Sequence, residues 1–192
     1  VLIGEPVATV FPGTLRTENP ADLAAIFEPT VGVAVLRRRP CPEIRSFLDS
    51  ATFRRFATGM STVLRPGDGG IQAFLPDAPG RGALDADVSA LGELYADLVG
   101  CPRIGVRLEV LERAMCPLFH SDRVALRLLC TYRGPVTQWL DAAGLIDQAA
   151  PFDVVLLKGD EWPDRGGGVR HRSPEVAPRE APRVLLAIDA VW

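Results

Sequence analysis

The sequence predicts an α+β fold, with N-terminal helices packed on a C-terminal antiparallel double-stranded β-helix, a cupin-like jelly roll. Three observations lead there. The clearest 3.6-residue apolar period lies in the first hundred residues, at Leu84, Val88, Leu91, Tyr95 and Leu98. From Ile104 the period becomes two, with Val106, Leu108 and Val110 alternating with Gly105, Arg107 and Glu109. The strands that follow have no helices between them, which favours antiparallel pairing over βαβ units. Several short strands around a pocket suggest the jelly roll.

Taken in order, residues 1–18 carry few signals. Asn19-Pro20 reads as an N-cap and first helical position for a helix carrying Leu23, Ile26 and Phe27, which stops before Pro29. Val31–Leu36 reads as a strand, and Pro42 opens a helix with Ile44, Phe47, Leu48 and Ala51 on one face. Residues 59–82 are rich in Gly and Pro and read as a long connection, with a short strand at Ile71–Leu75. The helix around Leu84–Leu98 ends at Gly100. After the strand at Ile104–Val110, further strands are expected at Arg123–Tyr132, Thr137–Leu140, Phe152–Leu157 and Arg183–Ile188, with a helical turn around Leu140–Ala149. The Pro/Gly/Arg-rich loop 163–182 contains His171, and Gly166-Gly167-Gly168 reads as a flexible linker to it.

The length of 192 residues fits one domain, with residues 1–100 a mainly helical buttress and 101–192 the barrel half. A net charge of -3 argues against a nucleic-acid binder, and Arg37-Arg38-Arg39 reads as a solvated strand end. No apolar run reaches the roughly 20 residues of a membrane span. Val1-Leu2-Ile3-Gly4-Glu5 lacks the layout of a signal peptide, so a cytoplasmic protein is expected. The four cysteines form no CxxC pair and read as small buried residues, with Cys116 notable for lying four positions before His120.

Chemistry concentrates at His120-Ser121-Asp122, directly before the apolar strand. Residues i and i+2 of an extended chain point to one side, so His120 and Asp122 can share a pocket. The chain's other histidine, His171, comes 51 residues later and supplies a third ligand if its loop folds back. Two imidazoles and one carboxylate form a facial triad suited to Fe(II), Mn(II) or Zn(II), with positions left for a chelating co-substrate and O₂. Counted from His120, Tyr132 has even parity, so its hydroxyl can reach a co-substrate from within the pocket or the ring can pack in the core, whereas Arg127 is odd and is an exterior ion pair unless a bulge brings it inside. Arg172 and Ser173 flank His171 within reach of a co-substrate.

Several segments carry a resemblance. They are Phe119–Asp122, Arg127–Pro135 with Thr137-Gln138-Trp139, Leu157-Lys158-Gly159, His171–Pro174 and Arg183–Asp189. Together they resemble the uncharacterised bacterial family known as domain of unknown function 1826, over most of the chain. That family usually has Gly-Pro-Gly-Thr where this chain has Gly134-Pro135-Val136-Thr137. More remotely, the layout is similar to the prolyl-hydroxylase-like branch of the Fe(II)/2-oxoglutarate oxygenases. This second resemblance implies the barrel, Fe(II) and 2-oxoglutarate as cofactors, and Arg183 as the clamp on the distal carboxylate, with Arg127, Tyr132, Arg172 and Ser173 around it. A dioxygenase-like enzyme acting on a small molecule or peptide, as monomer or homodimer, is the leading expectation. A non-enzymatic zinc-binding or metal-homeostasis protein using the same three ligands, and a metal-free binding module, remain open alternatives.

Overall fold

The computed structural model describes residues 13–56, 59–163, 168–177 and 182–192. Val1–Glu5 and the linker glycines Gly166 and Gly167 lie outside them. In chain order the described strands are β1 (Gly13–Thr17), β2 (Val31–Leu36), β3 (Met60–Leu64), β4 (Arg103–Leu111), β5 (Leu126–Arg133), β6 (Gln138–Leu140), β7 (Ile146–Gln148), β8 (Val154–Lys158), β9 (His171–Arg172) and β10 (Arg183–Val191). The α-helices are α1 (Pro42–Asp49), α2 (Ala51–Arg54) and α3 (Arg81–Val99). A main sheet runs β1-β2-β8-β5-β10-β4-β3 and a small one runs β7-β6-β9. Every pairing is antiparallel except β1 with β2.

Side-chain parity separates two cores. Even-numbered residues of the main sheet, among them Leu128, Cys130, Leu156, Leu186 and Ile188, pack with Ile44 and Phe47 of α1 and Leu84, Val88, Leu91 and Tyr95 of α3. Odd-numbered residues, among them Val33, Val35, Leu129, Val155, Leu157, Leu185 and Ala187, pack with Trp139 of the small sheet. The result is three layers, helices on one face of the main sheet and the small sheet on the other.

The α+β class and most strands agree with the sequence reading, and several elements differ from it. The first hundred residues are more than a helical buttress, because β1, β2 and β3 belong to the main sheet. The segment after Asn19 is a 3-10 helix, Pro20–Phe27, in which Leu23 and Ile26 are buried but Phe27 is exposed. Ala51 is exposed and starts α2 rather than extending the α1 stripe. The short strand expected at Ile71–Leu75 is a 3-10 turn, Gln72–Phe74. The helical turn expected around Leu140–Ala149 is a hairpin. Asp141 Oδ1 accepts from the backbone N–H of Ala143 and Leu145, and Gly144 adopts φ 76°, so local turn chemistry outcompetes helix.

A candidate metal centre between the sheets

The two histidines meet through the backbone. His120 N–H donates to His171 O at 3.0 Å, and His171 N–H donates to His120 O at 2.8 Å. This isolated antiparallel bridge sets the side chains on one side, with ring centroids 4.7 Å apart. Asp122 follows in the segment 121–125, which leaves the strand path to pair with the turn after β8. There Asp160 N donates to Asp122 O at 2.8 Å and Gly159 N to Ala125 O at 2.9 Å. Gly159 lies so close that a Cβ on it would collide with the carbonyl oxygens of Val124 and Asp122. Ser121 adds a hydrogen bond to Asp160 Oδ1 at 2.5 Å.

Three side-chain acceptors converge here. His120 Nδ1 lies 3.0 Å from Leu118 O, and His171 Nδ1 lies 3.1 Å from Val169 O. A carbonyl only accepts, so each Nδ1 carries a proton, and Nε2 is the ring nitrogen left to serve as a ligand. Those nitrogens face Asp122, with His171 Nε2 at 3.2 Å from Oδ2 and His120 Nε2 at 3.7 Å from Oδ1. Burial alone would raise the Asp122 carboxyl, but His171, Arg127 and His120 outweigh it and hold it at about 2, so it is a carboxylate. Its Oδ2 is buried and receives no aligned hydrogen bond. Arg127 Nη1 approaches that oxygen to 2.6 Å as a charge contact, outside hydrogen-bond alignment. One ligand atom from each of His120, Asp122 and His171 lies within 4.8 Å of the others. The donor set fits a divalent ion.

The same pocket holds Arg183, which is 1% exposed. Its Nη1 donates to Ser173 Oγ at 2.7 Å and its Nη2 to Thr137 Oγ1 at 2.8 Å, with Thr131 Oγ1 at 3.4 Å. Its Nε is buried without an acceptor. Burial pulls its pKa down to about 10, against a smaller opposing effect of Glu109.

The family model for proteins of unknown function DUF1826 matches residues 17–189. The chain belongs to this family. A search of curated proteins finds no match. Among solved structures, the Pseudomonas putida prolyl-4-hydroxylase is 11% identical, with TM-score 0.53, over 90% of this chain and 98% of its own. A full-length Neurospora crassa protein, solved in complex with alpha-ketoglutarate and thymine, is 12% identical, with TM-score 0.52, over 97% of this chain and 87% of its own. A bsmA homologue from Methylobium petroleophilum is 18% identical, with TM-score 0.52, over 89% of this chain and 92% of its own. At these identities the likeness is one of fold.

In this DUF1826 chain, the structure gathers His120, Asp122, His171, Arg127, Arg172, Ser173 and Arg183 around one pocket. It does not bring Tyr132 there. The segment 121–125 breaks the parity count, so odd residues of β5 face the pocket and Tyr132 faces α3, where its hydroxyl donates to Asp87 Oδ2 at 2.6 Å. Burial, together with Cys130 and Asp87, pushes that hydroxyl well above its usual range, so it stays a donor. Tyr132→Phe is expected to cost roughly 1–2 kcal/mol in a urea melt, the worth of that hydrogen bond, and to leave 2-oxoglutarate affinity unchanged. Arg172 is at the rim, stacked 4.5 Å over Phe119 and donating to Gln138 Oε1.

The sequence reading did not single out Thr131 and Thr137 as partners of Arg183, nor Asp189 as the partner of Arg127. For Thr131 and Asp189 the signal was odd parity: Thr131 lies four residues from Arg127 and Asp189 six from Arg183, on the same side of their strands.

Proposed function

We propose that this protein is an oxygenase dependent on Fe(II) and 2-oxoglutarate, built on a double-stranded β-helix. The observation that carries the reading is Arg183. A buried guanidinium held only by hydroxyls is costly, and no carboxylate among the described residues lies within ion-pair distance of it. It shares a pocket with three converging metal-type acceptors. A dianion that chelates a metal at one end and ends in a carboxylate at the other satisfies both features.

His120, Asp122 and His171 would hold the ion and leave adjacent positions open. Arg183 would take the distal carboxylate in a fork, with Ser173 and Thr137 holding the guanidinium planar to it. Leu129, Leu185 and Ala187 line the same pocket and limit the water around that ion pair, which strengthens it. When bound, Fe(II) with 2-oxoglutarate supplies the oxidation, one atom of O₂ going to the substrate and the other to succinate as CO₂ leaves. The protein supplies geometry and exclusion of water. The Neurospora crassa complex with alpha-ketoglutarate, in a protein of similar fold, supports this reading. A zinc-handling protein would use the same three ligands but has no task for Arg183.

Anaerobic addition of Fe(II) and 2-oxoglutarate is expected to give a weak charge-transfer band near about 500 nm, the mark of a chelated facial triad. Absence of that band, with no succinate formed in air, would sink the reading.

A further inference from the structure

We propose that Arg127 is the positioning residue of the metal centre: it orients the Asp122 carboxylate and is itself locked by Asp189. This rests on the reading of His120, Asp122 and His171 as a metal site.

Each histidine already has an orienting partner, since its Nδ1–H donates to a backbone carbonyl two residues earlier. Asp122 has no equivalent from the backbone. It lies outside any strand, and among the described residues the one group besides the two histidines that meets its carboxylate is Arg127. Arg127 is well placed to do this. It stands directly opposite Asp189 in the β5–β10 register. Its Nε donates to Asp189 Oδ1 at 2.7 Å and its Nη2 to Oδ2 at 2.8 Å, a bidentate pair that uses one edge of the fork. The other edge brings Nη1 to 2.6 Å from Asp122 Oδ2 as a charge contact. Asp189 is held in turn by Arg107 Nη2 at 3.2 Å. A row of alternating charge thus crosses β4, β10 and β5 on the pocket face and ends on the metal ligand. All three of its inner members, Asp122, Arg127 and Asp189, are mostly buried, with side-chain exposures of 15%, 17% and 20%.

This assigns Arg127 a task distinct from cofactor binding, because carboxylates already face both edges of its guanidinium. Lysine keeps the charge but cannot bridge both partners, so the substitution separates orientation from charge. Partners that orient metal ligands typically account for about 10- to 100-fold in metal affinity.

The test uses Co(II) as probe with wild type, Arg127→Lys and Asp189→Asn, reading the Co(II) dissociation constant, the visible d–d spectrum and the apo-protein melting temperature. Arg127→Lys is expected to weaken Co(II) binding by about 10- to 100-fold and to change the d–d band. Asp189→Asn is expected to shift both readouts in the same direction by a smaller factor. A purely structural ion pair would lower the melting temperature and leave the spectrum of the loaded protein unchanged. Wild-type affinity and spectrum in both variants would overturn the proposal and leave the metal site standing. Failure of the wild type to bind Co(II) would overturn both. If Arg127→Lys does not fold, Asp189→Asn supplies the same readouts.

Discussion

Asp122→Ala protein is expected to stay folded and to lose divalent metal binding, with the Co(II) or Zn(II) dissociation constant raised by more than about 100-fold. The floor for that figure is that second partners alone are worth about 10- to 100-fold. Folding should survive for physical reasons. Asp122 lies between the His120 bridge and β5, and its backbone contact to Asp160 does not need the side chain. Arg127 keeps its bidentate pair with Asp189, so no buried charge is stranded. Calorimetric titration with metal, beside a thermal melt of the apo protein, reads both halves of the expectation.

Arg183→Met is expected to abolish 2-oxoglutarate binding to the metal-loaded protein while leaving the apo melting temperature unchanged or higher. Removing one member of a buried charge pair costs about 2–5 kcal/mol, so the affinity for 2-oxoglutarate should fall by roughly 30- to 4,000-fold. The opposite sign for stability follows from the surroundings of Arg183. Burial already works against the charge of Arg183, which has hydroxyl partners and an orphaned Nε in place of a carboxylate. An apolar side chain of similar length removes that penalty. A stability loss with unchanged 2-oxoglutarate affinity would mean that Arg183 is a structural residue and not an anion clamp.

The parts of this molecule that could be read from sequence are those where one periodicity dominates. The α3 stripe Leu84, Val88, Leu91 and Tyr95 and the β4 alternation Ile104, Val106 and Leu108 each bury one regular face. Elements set by tertiary pairing were harder to see. β3 is an edge strand whose residues alternate between half-buried and exposed, so its sequence Met60–Leu64 carries no strong apolar signal. β1 is short and nowhere fully buried. The candidate metal ligands were legible because the chain has only two histidines and an Asp two residues after one of them. Tyr132 was placed on the wrong face because a parity count assumes an unbroken strand. The hydrogen bonds of residues 122–125 to the turn at 159–161, which break it, join segments distant in sequence. The locking of Arg127 by Asp189 depends on the β5–β10 register, which no local pattern encodes.

The most direct test is a crystal structure grown with Zn(II), as a redox-inert stand-in for Fe(II), and 2-oxoglutarate. The expected result is one anomalous peak at about 2.0–2.2 Å from His120 Nε2, His171 Nε2 and an oxygen of Asp122, the distances of Zn–N and Zn–O bonds. 2-Oxoglutarate should chelate that ion and end on Arg183. A metal bound elsewhere, or no metal with Asp122 still packed against both imidazoles, would contradict the assignment of a metal centre.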